Sequence, residues 1–147
     1  MSEQGRDDAA PDDLETADDR ETAYELLQRG QDLLTLRHFA QAAVVLERAD
    51  REEPDKQSIL EALGRAYYNS GQHERSRVTF ERLLELDPSA HYAHFALGQS
   101  LKQLGRRDEA RTHLRLAVSL SPTSPTYAGA LARIGPGPRP DPNPEAD

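Results

Sequence analysis

His91 and His94 stand three residues apart in the stretch HYAHF, a spacing that would set two imidazoles on one face of a helix. Two such rings could share a metal ion, but a closed zinc site needs four ligands and no acidic residue stands at ligand spacing. The HExxH arrangement is absent. His94 is therefore expected to fill a packing slot, while His38, His73 and His113 are scattered. There is no cysteine, which removes thiol chemistry and Cys-ligated zinc. GQSLKQLG and GRAYYNSG place their glycines a full helix apart, too far to cradle a phosphate. No nucleophile elbow and no Ser-His-Asp arrangement stands out. The chain nominates no catalytic residue, no metal ligand and no cofactor, and is expected not to be an enzyme.

What the sequence does carry is periodicity. Pro54, Pro88 and Pro122 are spaced by 34 residues, and so are Gly30, Gly64 and Gly98. Gly71 and Gly105 keep the same interval, as do Leu46, Phe80 and Leu114. Four independent columns agreeing on one period define repeats at 23–56, 57–90 and 91–124. Within the second, Leu60, Leu63 and Tyr67 follow a helical i, i+3, i+7 pattern that ends at Asn69-Ser70-Gly71. A second stripe, Val78, Phe80, Leu83, Leu84 and Leu86, runs to Asp87-Pro88, where proline disfavours further helix. Gly71 and Gly105 suit the left-handed residue that closes a helix. The Gly30 column falls inside the first helix of each unit, where glycine costs about 1 kcal/mol against alanine. Its recurrence predicts helices so close that a side chain would clash, with Ala42 and Ala110 serving the same end on the second helices.

These residues resemble the tetratricopeptide repeat (TPR) family. The second unit carries its signature as Leu60, Leu63-Gly64, Tyr67, Gly71, Ser76, Phe80 and Pro88, with Leu83 where Ala is usual. The third carries Leu97-Gly98, Leu101, Gly105, Ala110, Leu114, Ala117 and Pro122. The first keeps Leu26, Gly30, Leu33, Ala42, Leu46, Ala49 and Pro54, but Arg29 precedes its Gly and Arg37 occupies the turn-Gly slot, so its turn should be strained or differently shaped. The resemblance covers roughly 100 residues. It implies an all-α fold, a right-handed α-solenoid of three helix-turn-helix units plus a C-terminal capping helix. The expected domain spans 22–134, beginning at the capping box Thr22-Ala23-Tyr24-Glu25. It ends in a capping helix at about 125–134, stopped by Gly135-Pro136, with Ala128, Leu131 and Ala132 covering the last repeat and Arg133 in water. The acidic head, 1–21, and the Pro-rich tail, 135–147, are expected to be disordered.

By the family register, the first helices line a concave groove whose positions are Tyr24, Leu27, Gln31, Leu34 and Thr35; Ser58, Glu61, Arg65, Tyr68 and Asn69; and Tyr92, Phe95, Gln99, Lys102 and Gln103. Four of the chain's eight aromatic residues fall on these positions. The expected binding set is Tyr24, Leu27, Gln31, Arg65, Tyr68, Asn69, Tyr92, Phe95, Gln99, Lys102 and Gln103. Aromatics would grip apolar side chains of a peptide and amides its backbone, while Arg65 and Lys102 favour a carboxylate. The carboxylate clamp of some family members is not reproduced: its slots hold Leu27, Gln31, Ala62, Tyr92 and Ala96. The resemblance thus implies an adaptor or chaperone-like module with a protein or peptide partner. The alternative is a structural assembly subunit that self-associates or docks permanently in a larger complex, whereas a constant monomer favours the adaptor; weak self-association is possible.

Charge narrows the partners. The formal net charge is −8. Residues 1–22 hold nine acids and two bases, whereas 23–122 hold fourteen of each, so the repeats have no net field for nucleic acid. Arg106, Arg107, Arg111 and Arg115, opposed by Asp108 and Glu109, read as a solvated convex face. The acidic head, tethered to a body that bears Arg65 and Lys102, could shield the groove or act only as a solubilising tail. No run approaches a membrane span and no signal sequence is evident, so a cytoplasmic location is expected. Sixteen arginines against two lysines, with abundant alanine, suggest a GC-rich bacterial source.

Overall fold

In the computed structural model, which describes residues 20–138, helix and tight turn alternate along the chain. The elements are α1 (Ala23–Thr35), α2 (Phe39–Glu52), α3 (Gln57–Asn69), α4 (His73–Leu86), α5 (His91–Gln103), α6 (Arg107–Leu120) and α7 (Pro125–Ile134). Each consecutive pair packs together, and α1 also touches α3 as α3 touches α5. The result is an all-α solenoid of three helix pairs followed by one further helix. The expectations for the head and tail lie outside the described residues, apart from Arg20, Glu21 and 135–138. Glu21 receives two hydrogen bonds from Arg29, at 2.9 and 2.6 Å.

The start of α1 is fixed by a reciprocal cap. The Thr22 hydroxyl accepts from the Glu25 amide (3.1 Å) and the Glu25 carboxylate accepts from the Thr22 amide (2.9 Å), satisfying two donors that a helix end leaves free. The first helix of every unit ends on one left-handed residue: Arg37 (φ 64°), Gly71 (82°) and Gly105 (81°). All three turns close the same way. The amides of Arg37, Gly71 and Gly105 donate to Leu34, Tyr68 and Lys102, and those of His38, Gln72 and Arg106 donate to Leu33, Tyr67 and Leu101. The Arg37 turn is therefore the strained alternative of the two expected, not the differently shaped one. Its guanidinium lies 5.3 Å from the Phe39 ring centre, a modest compensation.

Close approach at the internal glycines is explicit. A Cβ on Gly30 would sit 2.4 Å from Leu46, one on Gly64 2.6 Å from Phe80, and one on Gly98 2.9 Å from Leu114. Leu46, Phe80, Leu114, Ala42 and Ala110 are each fully buried. The core is a string of clusters, one between the first two units around Leu46 and Leu63, another joining the second, third and last elements around Phe80, Leu97 and Leu114. Between α4 and α5, the buried Ser76 hydroxyl donates to the Gly64 carbonyl (3.1 Å) and meets Ser100 at 2.9 Å, so neither hydroxyl is left unsatisfied. Arg82 ties α4 to the preceding unit through both oxygens of Asp50 (2.9 and 3.1 Å) and through Asp55 (3.1 Å).

Two readings of the C-terminal region need correction. The face that α7 turns inward is Tyr127, Ala130 and Ile134, with Leu131 partly buried, while Ala128 and Ala132 are exposed. Ser124 caps the helix through the Tyr127 amide (3.2 Å) and Pro125 opens it, which fixes the rotation and puts the i, i+3, i+7 stripe on Tyr127. The basic helix α6 is not simply a solvated face either. Arg111 is 6% exposed and donates to the Gly135 carbonyl (2.8 Å), and Arg107 donates to the Ile134 carbonyl (2.8 Å). These arginines satisfy the last carbonyls of α7, where a cation is also favoured by the helix dipole.

The shared turn geometry sets up a paired test. Arg37→Gly removes the left-handed penalty at a site that already has the glycine geometry and should stabilise the protein by about 0.5–1 kcal/mol in urea denaturation. Gly71→Ala should cost about 1 kcal/mol although its Cβ would meet nothing within 4 Å. A loss of stability from Arg37→Gly would show that the contact with Phe39 outweighs the backbone strain.

Candidate functional site

The direct contacts of α1 with α3 and of α3 with α5 put the first helices on one side of the array. A cavity of about 190 Å³ opens there, lined by Arg65, Tyr68 and Asn69 of α3, Tyr92, Phe95, Ala96 and Gln99 of α5, and Phe80 of α4. Tyr92 and Phe95 stand one turn apart at the start of α5, and Tyr68 and Asn69 end α3, so the two helices meet with aromatic residues on both sides. The rings form a continuous set: Phe80 to Tyr92 at 6.2 Å, Tyr92 to Phe95 at 6.0 Å, and Phe95 to Tyr127 at 5.1 Å in a stacked arrangement. Tyr68, Tyr92 and Phe95 are each half-buried and open to solvent, and Tyr92 and Phe95 pack against the core.

The rim is polar. Arg65 and Asn69 are exposed, and the Asn69 amide nitrogen donates to the Arg65 carbonyl (2.9 Å), while its side-chain oxygen has no donor among the described residues. Gln103 reaches the Tyr68 hydroxyl at 3.5 Å. Burial pushes the Tyr92 phenol above its ordinary pKa, and Arg65 nearby pulls the other way.

Six of the expected groove residues, Arg65, Tyr68, Asn69, Tyr92, Phe95 and Gln99, line this cavity. Tyr24, Leu27, Gln31, Lys102 and Gln103 do not. Tyr24 projects from α1 with 68% of its surface exposed, while Leu27 packs partly buried against the core of the first unit. Phe80, Ala96 and Tyr127 were missing from the expected set. Phe80 belongs to a second helix, but the bare Gly64 lets its ring slide beneath α3 and form the cavity floor. Tyr127 comes from α7, which starts 34 residues after α5, just as α5 starts 34 after α3, and so takes the place of a next first helix; its hydroxyl meets His91 Nδ1 at 2.8 Å.

Larger cavities lie elsewhere, among them two of about 390 and 410 Å³. The first, between α2 and α4, is lined by groups that satisfy one another. Arg82 holds Asp50, Tyr67 donates to Glu47 (2.5 Å), and Arg75 sits over the Tyr67 ring. Burial, then the hydrogen bond and charge of Glu47, hold the Tyr67 phenol well above its ordinary range. In the second, Asp87 accepts from Ser89 and Gln57, which hold its carboxyl below the usual range. The aromatic cavity differs in gathering three half-buried aromatic rings, Tyr68, Tyr92 and Phe95, with Asn69 and Gln99 beside them.

The two histidines that opened the sequence question diverge. His91 turns to Tyr127, while His94 is buried, directs Nε2–H at the Pro88 carbonyl (2.8 Å) and places Nδ1 3.1 Å from Nδ1 of His113. His94 thus occupies its packing slot. Among the described residues no group of three or more metal-ligating side chains comes together. No helix among them is long and apolar enough to cross a membrane.

The tetratricopeptide repeat model matches residues 27–79 and again 61–125. Solved structures of similar fold include the first TPR of Spaghetti (RPAP3) bound to the HSP90 peptide SRMEEVD, 16% identical over 77% of this chain and 90% of that one, TM-score 0.73. MamA of Desulfovibrio magneticus RS-1 is 18% identical over 81% and 67%, TM-score 0.76. YrrB, a TPR protein with an unusual peptide-binding site, is 21% identical over 76% and 57%, TM-score 0.72. At these identities the likeness is one of fold.

The stacking on Phe95 predicts distinct effects at Tyr127. Tyr127→Phe should cost about 1 kcal/mol through the lost His91 contact, whereas Tyr127→Ala should cost roughly 3 kcal/mol or more by opening a void beside Phe95. Urea denaturation followed by circular dichroism reads both; equal costs would mean that the ring itself contributes nothing.

Proposed function

The chain belongs to the tetratricopeptide repeat family, and from that premise we propose that it is a non-catalytic interaction module holding a segment of a partner protein in the groove between α3 and α5. The observation that carries this reading is the convergence of Tyr68, Phe80, Tyr92 and Phe95 on one solvent-open cavity, with Arg65, Asn69 and Gln99 around it. A volume of about 190 Å³ suits one bulky apolar side chain. The half-buried rings would lose their remaining water to it, at about 25 cal/mol for each Å² covered. Asn69 and Gln99 can meet backbone amides, and Gln103 extends that row by one turn. Arg65 makes no side-chain hydrogen bond or ion pair among the described residues and is free for a carboxylate next to the apolar anchor, with Lys102 further along the same face.

The RPAP3 domain holds a peptide ending in acidic residues and valine, but the family's carboxylate clamp does not transfer here. Two of its slots are Ala62 and Ala96, both buried and without a donor. Recognition would rest on the aromatic cavity first and the cation second, with Tyr24 and Gln31 available to a longer segment. Ordering a short peptide offsets much of the contact energy, so a dissociation constant on the order of micromolar is expected.

Selecting random peptides on the immobilised full chain tests this. Enriched peptides should share a bulky apolar residue beside Asp or Glu. Their affinity, measured by fluorescence anisotropy, should fall at least about tenfold with Tyr68→Ala, consistent with loss of one buried aromatic contact. Arg65→Glu should weaken binding and remove much of its salt sensitivity. Peptides that bind the folded Tyr68→Ala protein as tightly as the wild type would overturn the assignment.

A further inference from the structure

The third unit contains a pair of imidazoles that the groove does not use. His94 on α5 and His113 on α6 bring their Nδ1 atoms to 3.1 Å, with ring centres 5.3 Å apart and nearly parallel. The Pro88 carbonyl can only accept, so His94 Nε2 must carry a hydrogen. In the neutral pair one hydrogen lies between the two Nδ1 atoms, donated by His113 to His94. The pair can take one more proton without losing that bond, because a singly charged pair still has one hydrogen between the two Nδ1 atoms. A second added proton puts N–H facing N–H and two cations in contact.

We propose that His94 and His113 form an acid-sensitive latch, which tolerates one proton but not two and loosens α5 from α6 in mild acid. The charged groups that act on His113 are Glu81 from α4 and Glu109 from its own helix, and both favour protonation. Each is already engaged, Glu81 by Arg77 and Glu109 by Arg106. Burial, first, and His94, second, prevail and hold the His113 imidazole below its ordinary value. The unfolded chain therefore takes up its proton before the folded one does. This contribution to stability is complete above the ordinary histidine value of about 6.5 and is lost as pH falls below it. His94 is clasped to the Pro88 carbonyl, in the linker between the second and third units, so opening also frees that junction. Because α5 carries Tyr92 and Phe95, the latch would regulate the groove. That consequence rests on the proposed function; the latch itself does not.

The experiment needs no partner, so the two ideas fail separately. Thermal unfolding of the full chain is followed from pH 7.5 to 4.5 for the wild type and for His113→Gln, which keeps a hydrogen-bonding group without a titrating one at a half-exposed site. The wild type should lose folding equilibrium constant more steeply below pH 6.5, on the order of tenfold per pH unit of depression, so that the two curves diverge in acid. Imidazole titration of the wild type by NMR should show His113 protonating below the ordinary histidine value. Parallel unfolding curves, or a His113 ring that titrates at the ordinary value, would overturn the latch.

Discussion

One contact, made three times, sets the geometry on which the rest depends. A first-helix glycine with no side chain rests against a large residue of the second helix: Gly30 on Leu46, Gly64 on Phe80, Gly98 on Leu114. Any Cβ would lie within 3 Å of its neighbour in all three, a distance that interior packing does not tolerate without a shift. The glycine's helix penalty is thus exchanged for close interaxial approach, which brings the helices of each pair together tightly enough to stack as flat units. That stacking lets α1, α3 and α5 touch along one side.

The same contact connects fold to site. At Gly64 the partner is a phenylalanine, and its ring is long enough to fill the space under α3 and still form the floor of the aromatic cavity. Leu46 and Leu114 pack into the core clusters and neither lines that cavity. The aromatic cavity therefore lies where the repeat carries its largest residue in that column. A core residue and a surface pocket share one side chain, so stability and the shape of the cavity cannot vary independently at that position.

The period, the glycine columns, the capping box and the turn glycines were legible because each follows from contacts within one 34-residue unit. The Arg37 turn was legible only as an anomaly, strained or differently shaped; the left-handed φ of Arg37 beside its two glycine sisters decides for strain. What stayed hidden depends on contacts between elements outside the repeat. Tyr127 completes the aromatic set from α7, which continues the 34-residue spacing of the first helices but carries no second helix among the described residues. The inward face of α7 turned on where Ser124 and Pro125 start it, not on its apolar composition. Arg107 and Arg111 looked like a solvated stripe because sequence periodicity reports which face a residue occupies, but not that a helix end lies against it. His94 and His113, nineteen residues apart, show no sequence spacing that signals their contact.

Net charge conceals the local field in the same way. The repeats hold equal numbers of acids and bases, which argues against a polyanion as partner but says nothing of any one spot. In the structure many of those charges are spent on internal ion pairs: Arg82 with Asp50 and Asp55, Arg77 with Glu74 and Glu81, Arg106 with Glu109, Arg29 with Glu21. Exposed pairs of this kind add little stability individually, yet by neutralising one another they leave the few uncommitted charges to define the surface. Among the described residues Arg65 is such a charge, and its field reaches the phenol of Tyr92 at the cavity wall, where the weaker field of Glu61 opposes it. A neutral body can thus present a cation beside an aromatic cavity because the neutrality is made of pairs formed elsewhere.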